Sequence, residues 1–144
     1  MSRDSKEILM VEDNAADVRL TREAFRAAGI EDTLHVAKDG VDAMEFLRHV
    51  GPHSAARRPD LILLDLNLPR MGGREVLAEI KGDLDLMRIP IVILTTSCAE
   101  SDITGSYALH ANCYVVKPPD LHQFFAMIRI IEKFWLSAVT LSPS

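Results

Sequence analysis

The five residues Leu61-Ile62-Leu63-Leu64-Asp65 constrain the fold of this chain more than any other stretch. Four consecutive apolar residues, set between Pro59 and Pro69, predict a short strand buried on both faces, as in the interior of a parallel sheet. The run ends on a carboxylate. Open α/β sheets gather their reactive groups at the carboxyl edge, so the strand itself delivers Asp65 to that edge.

The remaining chain repeats the pattern. Glu7-Ile8-Leu9-Met10-Val11 predicts a first strand that ends on Glu12-Asp13. Asn14 then caps a helix whose inner face is expected to carry Leu20, Ala24, Ala27 and Ala28, with Gly29 as the stop. Residues 33–37 form a β-rich run, Asp39-Gly40 turns the chain into a helix through Ala43, Met44 and Leu47, and residues 51–59 make a polar loop. After Asp65, Leu66-Asn67-Leu68-Pro69-Arg70-Met71-Gly72-Gly73 must cross the edge as a loop, and a helix follows with Val76, Leu77 and Ile80 inward. Pro90 opens Ile91-Val92-Ile93-Leu94, which ends on Thr95; a poor helix interrupted by Gly105 comes next. Residues 112–116 form the last strand, ending on Lys117-Pro118-Pro119, and a long helix covers 120–136. Strand and helix thus alternate five times, which predicts an α/β fold: a doubly wound five-stranded parallel sheet with five helices. The 144 residues fit one domain, with a core over about 7–136 and an extension over 137–144.

Composition narrows the function classes. A formal charge of −5 argues against nucleic acid as a partner, since binding a phosphate backbone needs clustered Lys and Arg beyond Arg57-Arg58. No apolar run reaches the roughly 20 residues that span a bilayer, and the polar start carries no signal-peptide core, so no membrane partner and a cytoplasmic location are expected. Cys98 and Cys113 lack metal-ligand spacing and read as reduced core thiols. The five histidines, His35, His49, His53, His110 and His122, show no ligand or triad spacing.

Four of the five predicted strands deliver a polar residue to one edge: Glu12-Asp13, Asp65, Thr95 and Lys117. Singly, each is an ordinary turn, cap or solvated residue. Together they bring three carboxylates into one place, where they repel unless a cation sits among them. An oxygen-only, shallow site suits Mg²⁺ with waters retained. A hydroxyl and an ammonium beside it suit a phosphoryl group, whose transfer depends on positioning and charge neutralisation, with Asp65 as nucleophile.

The motifs Val11-Glu12-Asp13, Leu64-Asp65-Leu66-Asn67-Leu68-Pro69, Pro90-Ile91-Val92-Ile93-Leu94-Thr95 and Tyr114-Val115-Val116-Lys117-Pro118 resemble the response-regulator receiver domain of two-component signalling. The resemblance runs from Ile8 to about Leu136 and implies a flavodoxin-like strand order, 2-1-3-4-5. It further implies Asp65 as phosphoacceptor, and Mg²⁺ held by Asp13 and Asp65, by the Asn67 carbonyl and by Glu12 through water. It makes Thr95 and Lys117 phosphoryl-binding, Thr95 and Tyr114 a switch pair, and the peptide before Pro118 cis. A sensor histidine kinase is the implied partner, and a phosphoacceptor rather than a metabolic enzyme the implied activity. A narrower resemblance, on Leu94-Thr95-Thr96-Ser97, Pro69-Arg70, Gly73-Arg74-Glu75-Val76-Leu77 and Phe134-Trp135-Leu136, is to the stand-alone regulators paired with bacterial and cyanobacterial phytochromes. Gly72 and Pro119 depart from the family pattern, and altered loop stiffness is the expected consequence.

The last predicted helix carries two apolar stripes. Leu121, Phe124, Phe125, Ile128, Ile131 and Trp135 suffice to pack on the sheet, while Met127, Ile130 and Phe134 form a second stripe. A long buried helix that is simply apolar on most sides is the plainer explanation. The sharper reading is a homodimer or partner face of Met127, Ile130, Phe134 and Trp135. Two rivals stand beside the receiver reading: an interaction module that works without phosphorylation, and a flavin-binding module, which the acidic edge disfavours.

Overall fold

Side-chain alternation along the strands sorts the core into two halves. A computed structural model gives the fold and describes residues 5–138 and Leu141. Its strands are β1 (Glu7–Val11), β2 (Thr33–Ala37), β3 (Leu61–Leu64), β4 (Ile91–Thr95) and β5 (Cys113–Val116). Between and after them run α1 (Ala15–Ala27), α2 (Gly40–Leu47), α3 (Gly73–Lys81), α4 (Glu100–Ala108) and α5 (Leu121–Ile131). Leu9, Val11, Ile62, Leu64, Ile91 and Ile93 face α2 and α3. Their neighbours Ile8, Met10, Leu61, Leu63, Val92 and Leu94 face α1 and α5 on the opposite side. Every strand pair is parallel and the order is β2-β1-β3-β4-β5, the doubly wound, flavodoxin-like sheet expected. The central strands β3 and β4 are buried along their whole length, which explains their unbroken apolar runs.

Caps set where the helices begin. The Asn14 side chain accepts from the backbone N–H groups of Ala16 and Asp17 to start α1, and Asp39 does the same for Asp42 in α2. Gly29 takes a left-handed φ of 68° just past α1, the geometry that a glycine stop supplies.

Several expectations need correction. The buried face of α1 is Thr21, Ala24 and Phe25, with Ala27 and Ala28 exposed, because Phe25 offers far more apolar area than a terminal alanine. Leu121 is exposed rather than packed on the sheet, since it sits in the first turn beyond the reach of the Phe124-Ile128-Ile131 stripe. Helical winding does continue past α5, but residues Glu132–Ala138 wind as a π-helix. This wider turn rotates the later side chains, burying Leu136, half-burying Trp135 and leaving Phe134 exposed. Cys98 is an exposed free thiol, because it lies in the loop after β4 and not in that strand; Cys113 is half-buried. The extension over 137–144 falls mostly outside the described residues, although Leu141 packs against the α1–α5 side of the core. Among the described residues no helix is long and apolar enough to cross a membrane.

Candidate functional site

Parallel register brings the strand ends together. Val11 pairs with Leu64, so Glu12 and Asp65 follow side by side, and Thr95 pairs with Val116, so Lys117 emerges beside the end of β4. Backbone bonds fix the arrangement: Asp65 N–H donates to the Val11 carbonyl at 3.1 Å and Lys117 N–H to the Thr95 carbonyl at 2.7 Å. The carboxylates of Glu12, Asp13 and Asp65 each offer an oxygen, and these oxygens lie within 4.8 Å of one another. Glu12 and Asp65 are buried and Asp13 is exposed, so the cluster opens to solvent on one side.

Lys117 stands among them. Its Nζ donates to Glu12 Oε1 at 2.5 Å, to Asp17 Oδ2 at 2.7 Å and to Asp65 Oδ2 at 3.4 Å, and its side chain is only 6% exposed. Burial works to lower the Lys117 pKa, yet the hydrogen bonds to Asp17 and Glu12 outweigh it and hold the ammonium above its ordinary 10.5. Glu12 moves the other way from a typical ion-paired acid, rising from 4.5 to about 7. Its burial is the main cause; the Lys117 hydrogen bond opposes that rise and the Asp65 charge adds to it. A single ammonium stands among the four carboxylates of Glu12, Asp13, Asp17 and Asp65. An excess of buried negative charge on oxygen-only donors fits a hard divalent cation that keeps part of its water shell.

Asn67 lies in the loop after β3, exposed, with its N–H donating to Asp65 Oδ1 at 3.3 Å. That loop is tightly held. A Cβ added at Gly73 would lie 2.1 Å from the Asp65 carbonyl oxygen, so only glycine lets α3 start this close to the strand end. On the far side, Arg70, at a φ of 63°, forks onto the two oxygens of Asp39 at 2.8 and 2.9 Å. Thr95 is fully buried and its Oγ1 accepts from Ser97 N–H at 3.4 Å. Tyr114, half-buried, donates its hydroxyl to the Ser97 carbonyl at 2.9 Å. Ser97 in turn donates to Asp102 at 2.6 Å, and Asp102 faces Arg74 of α3 at 3.6 Å.

The structure therefore brings together Glu12, Asp13, Asp65, Asn67, Thr95 and Lys117, with Tyr114 one step behind Thr95. It corrects one expectation: no peptide bond among the described residues is cis, and Lys117 reaches the carboxylates from a trans bond to Pro118. The trans isomer is the ordinary preference of an X-Pro bond, by about 0.5–1 kcal/mol. Sequence reasoning missed Asp17, the Arg70–Asp39 fork and the Ser97-Asp102-Arg74 chain. Asp17 alone left a trace, lying four residues after Asp13 and so on the same side of the helix start. Met127 and Trp135 are half-buried, and both pack against the core, whereas Ile130 and Phe134 are exposed, at 68% and 53%. The proposed face on the last helix therefore reduces to the latter two.

Comparison with known proteins agrees with this geometry. The family model "Response regulator receiver domain" matches residues 8–129. Response regulator Rcp1 of Synechocystis is 51% identical over 140 residues, covering 97% of this chain and 95% of that protein. The crystal structure of the phosphorylated cyanobacterial phytochrome response regulator RcpA superposes with a TM-score of 0.93 at 51% identity, covering 97% of this chain and 100% of that one. The Mn²⁺-bound form of Rcp1 gives 0.90 at 51% identity, over 96% and 99% of the two chains. A sheet whose strand ends converge on this acidic edge, and a family match over most of the chain, lead to one conclusion: the chain belongs to the response regulator receiver domain family.

Proposed function

We propose that this chain is a phosphoacceptor of two-component signalling that takes a phosphoryl group onto Asp65 from a phosphohistidine of a sensor histidine kinase. One observation carries the reading: Asp65 stands buried at a strand end with Glu12 and Asp13 on one side and the Lys117 ammonium 3.4 Å from its Oδ2. In the transfer an Asp65 oxygen attacks phosphorus, the P–N bond breaks, and the histidine nitrogen leaves with the electron pair. Asp13 and Asp65 would hold Mg²⁺ with the Asn67 carbonyl and, through water, Glu12, and the bound ion would neutralise charge on the phosphoryl oxygens. The manganese in the Rcp1 structure supports divalent metal in a relative of this sequence. Lys117 pairs with a phosphoryl oxygen, and Thr95 donates its hydroxyl to another. Tyr114, linked through Ser97 to the β4–α4 loop, follows the displaced Thr95 and carries the change to the surface. Hydrolysis of the acyl phosphate ends the signal, so the chain assists its own modification without turning over an external substrate.

The likeness to the cyanobacterial phytochrome response regulator RcpA favours a phytochrome-type kinase as donor. Residues 1–144 act as one receiver domain in the cytoplasm, with no nucleic acid or membrane partner, and the exposed Ile130 and Phe134 give a homodimer contact. Labelled phosphate offered from an autophosphorylated phytochrome-class kinase should move to this protein faster than from kinases of other sensor classes. Equal rates from all donors would remove the phytochrome assignment, and no transfer from any donor would favour a module that works without phosphorylation.

A further inference from the structure

Asp17 belongs to α1, outside the strand-end motifs, yet it makes one of the two shortest contacts of Lys117. We infer that Asp17 is a positioning residue: it draws one of the three Lys117 donors toward α1, so that the ammonium takes only one oxygen each from Glu12 and Asp65 and leaves the rest of the Glu12-Asp13-Asp65 cluster to a divalent cation. This rests on the reading of those three residues as metal ligands.

The local geometry explains how Asp17 becomes available. It is the third residue of α1, where an acid ordinarily turns back to bond the N–H of the capping residue. Here the Asn14 N–H donates to Glu12 Oε2 at 3.2 Å instead. The Asn14 side chain meanwhile accepts from Asp17 N–H at 3.2 Å, which pins the Asp17 backbone while its carboxylate remains free to turn inward. A first-turn acid serving only the helix dipole would stay in solvent. Asp17 is 20% exposed in its side chain and bonds an ammonium 100 residues away in sequence.

An ammonium has three protons, and Glu12, Asp17 and Asp65 take one each. If Asp17 loses its charge, the released donor turns to the acceptors that remain, which are the oxygens a cation needs. The cluster also loses one negative charge. Both effects weaken cation binding, but only the first acts through Lys117.

Amide chemical-shift titration with Mg²⁺ separates them. Relative to the unaltered protein, Asp17→Asn should raise the Mg²⁺ Kd about threefold to tenfold, the order expected for a partly screened charge at this range, and Asp17→Glu should restore most of the affinity. In a Lys117→Met background the same Asp17→Asn change should cost clearly less. With acetyl phosphate as donor, the Asp17→Asn deficit should shrink as Mg²⁺ approaches saturation. A Kd within twofold of the original, or an undiminished effect in the Lys117→Met background, would overturn the inference. Absence of Mg²⁺ binding by the unaltered protein is a separate result, which would remove the metal reading and this inference with it.

Discussion

Glu12 shows what burying several acids around one base does to a single residue. Its carboxyl rises from 4.5 to about 7, chiefly through burial, so the folded chain binds a proton in this window that the unfolded chain has released. More protons bound in the folded state means that stability falls as pH rises from 4.5 to 7, by roughly 3 kcal/mol for a shift of this size. Denaturant titrations across that window without divalent ions should therefore show a decline in the unaltered protein that Glu12→Gln lacks. Parallel profiles for the two proteins would contradict this assignment. Asp39 gives the opposite sign. The Arg70 hydrogen bond is the main reason its carboxyl lies below 3.8, so its contribution is present above 3.8 and lost as pH falls through the folded value. Glu12, Asp13, Asp65, Thr95 and Lys117 were legible in the sequence because a strand end fixes where its next residue goes. Asp17, Asp39 and Arg70 were not, because their contacts depend on how a helix start or a loop is oriented, which no period encodes.

Among the elements, two glycines carry opposite expectations. A Cβ at Gly73 would meet the Asp65 carbonyl oxygen and the Leu66 Cα, backbone atoms that cannot yield while β3 and α3 keep their places. Gly73→Ala should destabilise the chain by about 2 kcal/mol or more and disturb the Asp65 end of β3. At Gly105 the Cβ would meet Arg74 Nη2 at 2.0 Å, the far end of a flexible side chain that can swing into solvent. Gly105→Ala should thus be neutral or stabilising by up to about 1 kcal/mol, since α4 gains a better helix former while Asp102 loses its Arg74 neighbour. Thermal unfolding of both variants checks the contrast, and a loss at Gly105 as large as at Gly73 would contradict it. The apolar runs of β3 and β4 made those strands legible. The π-turns after Ile131 were not, because Phe134-Trp135-Leu136 fits an α-helical stripe equally well and only packing against Phe25 and the sheet selects the wider winding.

For the whole molecule, alternation of five strands and five helices carried the doubly wound parallel class, while the order β2-β1-β3-β4-β5 was implied only by the resemblance to receiver domains, since right-handed crossovers allow other orders. What the sequence could not settle is what the surface does, since an apolar stripe reads the same whether it meets the sheet or another chain. Ile130 and Phe134 are exposed, and Phe134→Glu should yield a monomer by light scattering while leaving phosphorylation of Asp65 intact. An unchanged mass average would place the dimer contact elsewhere or remove it. The proposed phosphoacceptor role of Asp65 belongs to the edge that all five strands share. Intact-protein mass after incubation with acetyl phosphate, with and without Mg²⁺ and beside Asp65→Asn, tests it most directly. A single phosphoryl adduct that requires both Mg²⁺ and Asp65 is expected; an adduct that persists in Asp65→Asn, or none in the unaltered protein, would rule Asp65 out as the phosphoacceptor.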